Sequence, residues 1–301
     1  MSSPLRYAYY PGCSGLSTSR DYDESTRVVC KALGIELEDL EDWSCCGSTP
    51  AHTVDHVFSA ALSARNLEIA ERMQHDTVVT PCPSCLTNLK VAEHRMAKDS
   101  FRDRVNQLLD RPSQNTVVTK SVLQILFEDL GVEAIKAKVV KPLTGMKVAP
   151  YYGCIMNRPP EIMDFDDPEN PVAMDRILEA LGAVVLDFPL KVECCGGSFG
   201  VARKDIVMQL SGKHLQMARD IGADAVVTAC PLCQMNLDLR QGQINAAHNT
   251  NYRIPVFYFT QLMGLALGLS RKDVLMNKLV VDPDLALDKI QETQDDRAVN
   301  E

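Results

Sequence analysis

Val78–Leu89 reads VVTPCPSCLTNL, and Val226–Leu237 reads VVTACPLCQMNL. Eight of these twelve positions are identical at an offset of 148 residues, which marks a repeated unit. In each, a short β-branched run delivers a Cys-Pro-x-Cys segment at a helix start, where proline fits because the first helical turn needs no backbone N–H. The echo extends upstream. Cys45-Cys46 in WSCCGS matches Cys194-Cys195 in VECCGGS, and YYPGC ending at Cys13 matches YYGC ending at Cys154. The chain therefore reads as two copies of one unit, residues 1–98 and 146–270, with 99–145 as a helical linker and 271–301 as a C-terminal extension.

Both copies carry the same pattern of elements. Arg6–Tyr10 and Lys147–Tyr152 are aromatic or β-branched runs that predict strands. Tyr22–Leu33 and Val172–Leu181 have helical spacing and stop at Gly34 and Gly182, in C-terminal cap position. Ile35–Leu37 and Ala183–Leu186 predict strands that lead into the Cys-Cys-Gly turns. Val54–Met73 and Lys204–Ile221 predict long helices, and Thr77–Thr80 and Ala225–Thr228 predict the strands before Cys-Pro-x-Cys. The linker adds Phe101–Leu109 and Lys120–Leu130 as helices, and Val256–Leu269 predicts a buried helix that closes the second domain. The expected class is α/β: two pseudo-symmetric domains, each a small, mainly parallel sheet flanked by helices. In such sheets ligands gather at the loops leaving the strand ends, where all the paired cysteines fall.

Composition narrows the function classes. With 31 basic and 40 acidic residues the net charge is −9, which argues against nucleic acid, whose phosphates need clustered Lys and Arg. No apolar run approaches the ~20 residues of a membrane-spanning helix. No basic start followed by an apolar run marks an export signal, so a cytoplasmic, reducing compartment is expected. There, cysteines bind metal or do redox chemistry more often than they form disulfides. Val256–Leu269 keeps the alternative of an amphipathic contact with the inner membrane face. The polar stretch beyond Asp282 is expected to be poorly ordered or to dock a partner.

Ten of the eleven cysteines form two matching sets. The first is Cys13, Cys45, Cys46, Cys82 and Cys85; the second is Cys154, Cys194, Cys195, Cys230 and Cys233. Two cysteines separated by two residues at a helix N-terminus can aim both sulfurs at one point, and the helix dipole favours thiolate there. The adjacent pairs offer two further sulfurs if Gly47 and Gly196 let the backbone turn sharply. Soft thiolates select zinc, copper(I) or iron–sulfur clusters. Structural zinc needs four ligands and explains neither five cysteines nor the adjacent pair. A disulfide framework suits neither the length nor the compartment, and a thioredoxin-like site needs only one Cys-x-x-Cys. A four-cysteine cubane with one spare thiol per half is the stronger competitor. Cys30 has no counterpart in the second copy and reads as a small buried apolar residue.

This pattern of single, adjacent and Cys-Pro-x-Cys cysteines, with its flanking glycines and prolines, resembles the cysteine-rich CCG domain. Two such domains within residues 5–270 resemble the B subunit of heterodisulfide reductase. The resemblance implies a noncubane [4Fe–4S] cluster on each five-cysteine set, with all ten cysteines named above as ligands. It also implies reductive cleavage of a disulfide between the clusters. The ferredoxin run of four cysteines and the G-x-G-x-x-G of a dinucleotide site are both absent from the sequence. A ferredoxin-like iron–sulfur protein of the C type and a flavin-containing one are then the implied partners. The substrate would be a disulfide, a persulfide or carrier-bound sulfur. Two differences separate the copies: Ser48 follows Gly47 whereas Gly197 follows Gly196, and the loops after Cys13 and Cys154 diverge.

The leading expectation is thus an oxidoreductase subunit active with partners. The alternative is a CCG-domain relay or membrane-associating subunit of a quinone-linked succinate dehydrogenase or fumarate reductase; a hydroxy-acid-oxidising complex comes third. His52, His56 and His214 are candidate proton donors to a departing thiolate, against the commoner role of helix surface or hydrogen-bonded residues. Lys213 and Arg65 share a repeat position and either face an anionic substrate or are solvated.

Overall fold

The computed structural model describes residues 4–48 and 54–290, so His52 lies outside the described residues. The chain divides into two units. The first comprises residues 1–130 together with 155–168, and the second comprises 131–154 and 169–301.

The first unit is built on four strands, β1 (Leu5–Tyr9), β2 (Ile35–Asp39), β3 (Thr77–Thr80) and β4 (Val118–Ser121), in the order β2-β1-β3-β4. All three pairings are parallel, with Tyr7 opposite Leu37, Ala8 opposite Val78 and Val79 opposite Lys120. Parallel neighbours need long crossovers, and helices supply them: α1 (Arg20–Leu33), α2 (His56–Arg72) and α3 (Pro83–Met96). Helix α1 ends where Gly34, at φ +83°, gives its N–H to the carbonyls of Cys30 and Lys31. Asp55 starts α2 by accepting from the amides of Val57 and Phe58. With helices on its faces, the sheet's central strands are apolar throughout: Ala8, Tyr9, Val78 and Val79 are fully buried.

The second unit repeats the plan with β5 (Lys147–Tyr151), β6 (Val184–Val185), β7 (Ala225–Thr228) and β8 (Val256–Tyr258), ordered β6-β5-β7-β8 and again all parallel. Its crossovers include α4 (Ala173–Ala180) and α5 (Lys204–Asp220). The helix after β7 differs from its counterpart α3. It begins as Pro231–Gln234, passes through a π-helical turn at Met235–Leu239 and resumes at Gln241–His248.

The α/β class and the two parallel sheets agree with the sequence reading, and two outer strands correct it. Residues 99–145, read as a helical linker, contain β4, which pairs along the whole of β3. Val256–Leu269, read as one helix, divides into β8 and a helix at Phe259–Ala266. In both places the strand runs directly into a helix without glycine or proline between them. Ser121 caps the helix after β4 by accepting from the Gln124 amide at 2.9 Å. Gln261 braces the junction after β8 by accepting from the Tyr258 amide at 3.0 Å. Among the described residues no helix is long and apolar enough to cross a membrane.

Candidate functional site

Strand order places the cysteines. In each sheet the first strand sits between the second and third, so the chain reverses its direction of winding between β1 and β3, and between β5 and β7. Loops diverge at such a switch point and leave a crevice beyond the carboxyl ends of the strands. Cys13 follows β1, Cys45 and Cys46 follow β2, and Cys82 and Cys85 follow β3. Cys154, Cys194 with Cys195, and Cys230 with Cys233 follow β5, β6 and β7 in the same way.

In the first set Cys82 occupies the N-cap of α3 in extended conformation and Pro83 follows at the first turn. The Cys46 and Cys85 sulfurs lie 3.5 Å apart, a non-bonded contact. Cys46, Cys82 and Cys85 are buried, and Cys13 and Cys45 are exposed. The loop bearing Cys45-Cys46 is braced from three sides. Tyr10 donates its hydroxyl to the Ser44 carbonyl at 2.8 Å, Asn66 accepts from the Ser44 amide at 2.9 Å, and Ser63 donates to the Cys46 carbonyl at 3.0 Å. Asn88, one turn past Cys85, brings Nδ2 to 3.7 Å from the Cys46 sulfur.

The second set has the same skeleton. Cys195 and Cys233 sulfurs are 3.6 Å apart, Tyr151 donates to the Glu193 carbonyl at 2.8 Å, and Ser211 donates to the Cys195 carbonyl at 2.8 Å. Gly196 and Gly197 direct their amides at the sulfurs of Cys194 and Cys195, at 3.3 and 3.4 Å. A network of buried polar groups stands behind these loops. Lys191 donates to Asp175 at 2.7 Å, Tyr152 donates to the same carboxylate at 2.6 Å, and the Lys191 carbonyl accepts from the amides of Tyr152 and Gly153.

Hydrogen bonding sorts the thiols. The hydrogen bond between Cys46 and Cys85, helped by Asn88, holds Cys46 down at about 6. Cys82 is lowered by its hydrogen bond with Cys85, and Cys85, hydrogen-bonded to both and buried, is pushed well up. In the second set, the hydrogen bond with Cys233 lowers Cys195 to about 7, and that with Cys154 lowers Cys194 to about 6. Cys154 and Cys233 rise correspondingly. Soft, ionisable sulfurs of this kind are ligands for thiophilic metal. Two glycines leave room for it: a Cβ on Gly12 would stand 2.9 Å from the Cys85 sulfur, and one on Gly153 would stand 3.1 Å from the Cys233 sulfur. Five thiols per half and these open approaches fit an iron–sulfur cluster. Among the described residues no group of three or more His, Cys, Asp or Glu side chains is gathered for a single metal ion.

The remaining candidates separate. Cys30 is fully buried in α1, where burial pushes its thiol up to about 12. His214 is buried, hydrogen-bonded through Nδ1 to the Leu210 carbonyl of its own helix at 2.9 Å and packed on the Tyr151 ring, and burial lowers its pKa. Arg65 is held by Asp42 at 2.6 Å, and Lys213 is exposed. His56 lines a cavity beside the first set. Asn88 and Asn236 join the site only through the structure, and their one signal in the sequence is that both belong to the identical positions of the repeat.

Comparison with known proteins places this geometry in a family. The cysteine-rich CCG domain matches residues 7–90 and 148–238. The 8-methylmenaquinol:fumarate reductase membrane anchor subunit of Wolinella succinogenes is 35% identical over 92% of this chain and 97% of its own. The B subunit of the ferredoxin:CoB-CoM heterodisulfide reductase of Methanosarcina mazei is 31% identical over 88% of this chain and 90% of its own. A crystal structure of a hypothetical protein from Helicobacter pylori aligns with a TM-score of 0.72 at 11% identity. It matches 93% of this chain, which spans 52% of that one, and at this identity the likeness concerns the fold alone. The chain belongs to the cysteine-rich CCG family, in the two-copy form that the heterodisulfide reductase B subunit shares with it over most of its length.

Proposed function

We propose that the chain is an iron–sulfur redox subunit of a multi-subunit oxidoreductase that acts on disulfide, thiol or related sulfur groups. The observation that carries this reading is the recurrence of five cysteines at the switch point of each of the two sheets, with the same serine, asparagine and tyrosine braces. Cys13, Cys45, Cys46, Cys82 and Cys85 would hold one noncubane [4Fe–4S] cluster, and Cys154, Cys194, Cys195, Cys230 and Cys233 the other. Such clusters supply one-electron steps, and a pair of them supplies the two electrons that a disulfide needs. The protein's own part is to fix the sulfurs, shield the buried ones from water, and stabilise negative charge on Cys46 and Cys195 through Asn88 and Asn236. Electrons would pass through a ferredoxin-like subunit and a flavin-containing one, in a cytoplasmic complex peripheral to the inner membrane face.

Anaerobic iron and sulfide analysis with EPR tests this: two four-iron clusters require about eight irons per chain. One zinc per half without acid-labile sulfide overturns it.

A second reading has its own support. The relative at 35% identity is named as the membrane anchor subunit of a fumarate reductase, which favours a relay role in a quinone-linked complex. Copurification decides between the readings. A flavoprotein that turns over fumarate or succinate selects the relay, and sulfur turnover by the assembled complex selects the first.

A further inference from the structure

A cavity of about 390 Å³ opens in the first unit beside the Cys-Pro-Ser-Cys turn, within the range of small-molecule sites. One wall is a single face of α3, with Ser84, Thr87, Asn88 and Arg95 at the three- and four-residue spacing that aligns side chains on a helix. The facing wall carries His56 and Ser59 from the start of α2, and Val91 and Ile155 make the middle apolar. The groove therefore has two unlike ends. At one, Asn88 reaches the Cys46 sulfur at 3.7 Å. Arg95 stands at the other, eleven residues from Ser84, which is about 16 Å along the axis at ~1.5 Å per residue. Its long side chain leans back toward the helix N-terminus and so shortens that span.

Arg95 is half-buried, and its guanidinium has no hydrogen bond or ion pair with any described residue. In a chain with 40 acidic residues against 31 basic ones, carboxylates are plentiful, yet none is placed against it. A partly desolvated guanidinium facing a confined space is matched by a carboxylate, which it can grip through two parallel hydrogen bonds. The second unit lacks this construction. Leu232 and Met235 stand where Ser84 and Thr87 do, and the π-helical turn at Met235–Leu239 interrupts the straight face.

We propose that this groove binds a slender ligand whose thiol or disulfide end lies at the first cysteine set and whose terminal carboxylate pairs with Arg95. Arg95 is then the specificity residue of this groove. This rests on the sulfur-chemistry reading above for the identity of the reacting end, and on the groove alone for the anion.

Calorimetric titration of the anaerobically isolated full chain with mercaptooctanoate and with its neutral analogue mercaptooctanol is the test. The acid is expected to bind roughly tenfold more tightly, the effect of one charge-assisted pair. Arg95→Gln should erase that preference, Arg95→Lys should keep part of it, and Ser84→Leu with Thr87→Met should weaken both ligands. Thermal melts of each variant establish that it is folded. Equal affinity for acid and alcohol, or a preference that survives Arg95→Gln, overturns the groove. Iron and sulfide assayed on the same samples separate the two readings. A metal-free chain that still prefers the acid refutes only the cluster assignment, whereas a loaded chain with no preference refutes only the groove.

Discussion

Asn236 carries its side-chain nitrogen 3.4 Å from the sulfur of Cys195, and both residues are buried. A donor at that distance stabilises charge on the sulfur, and hydrogen bonds to cluster sulfurs are one of the means by which a protein sets a reduction potential. Asn236→Leu keeps the volume and removes the donor. The centre proposed on the second set should then become roughly 40 mV harder to reduce, taking about 1 kcal/mol of differential hydrogen bonding and 59 mV per tenfold change. Redox titration followed by EPR reads this, with the first centre unmoved; Asn88→Leu should give the mirror image. Unchanged potentials in both variants would show that these amides only pack.

Gly12 and Gly153 offer a contrast between strain and space. Gly12 has φ +69° and Gly153 φ +78°, and a Cβ at either would press on a cysteine sulfur. Gly34 has φ +83° with nothing within 4 Å of its Cβ position. All three alanine variants should lose about 1 kcal/mol of stability from the left-handed backbone alone. On the proposed reading of one cluster per set, Gly12→Ala and Gly153→Ala should in addition each lose about half of the bound iron, because one of the two would be displaced. Full iron in Gly12→Ala would mean that the crowding is relieved by movement of Cys85.

The Glu93 carboxyl gives a pH signature far from any cysteine sulfur contact. It lies half-buried on α3, hydrogen-bonded by the Thr119 hydroxyl of β4, and burial pushes it up to about 7 from an ordinary 4.5. The fold thus tolerates the neutral acid below that ordinary value and loses stability as pH rises through 7. Glu93→Gln should add roughly 2–3 kcal/mol near pH 8.5 and little near pH 4.5, at 1.36 kcal/mol per pKa unit. Urea midpoints at the two pH values measure it, and an equal gain at both would rule out titration as the cause.

Lys191 should be the most sensitive position outside the cysteines in the second unit. Its side chain and that of Asp175 are only 8% and 15% exposed, and its own backbone carbonyl anchors the turn before Cys154. Lys191→Met leaves a buried carboxylate short of its cation, which costs about 3–5 kcal/mol. Pairing it with Asp175→Leu should recover a good part of that loss. A Lys191→Met protein with wild-type stability would mean that the Tyr152 hydroxyl suffices for Asp175.

The parts of the fold legible in the sequence are those whose information is local. Gly34 and Gly182 announce helix ends because only a left-handed residue fits there, and the two Cys-Pro-x-Cys segments announce strand, cap and helix together. The strands β4 and β8 give no such notice. Val118–Ser121 and Val256–Tyr258 are three or four residues long and run straight into helices, so the helical spacing of the adjoining residues governs the local pattern. Their strand character comes from pairing with β3 and β7, partners dozens of residues away. The ten cysteines are legible as two sets for the same reason the repeated core is. The groove is not: Arg95 is one arginine among many until α3 aligns it with Ser84 and Asn88 on a single face.

The segment 155–168 belongs to the first unit although the chain on either side of it belongs to the second. It is knitted in by Thr87, whose hydroxyl donates to the Ile155 carbonyl at 3.5 Å, and by Phe165, whose ring meets that of Phe127 edge-on. No single cut anywhere in the polypeptide can therefore release two whole units: a fragment ending at Leu130 lacks this strap, and one beginning at Gly131 carries it as a stray loop. Truncation at one point is therefore no route to a chain with a single cysteine set, and removing one set while keeping both units whole calls for point substitution.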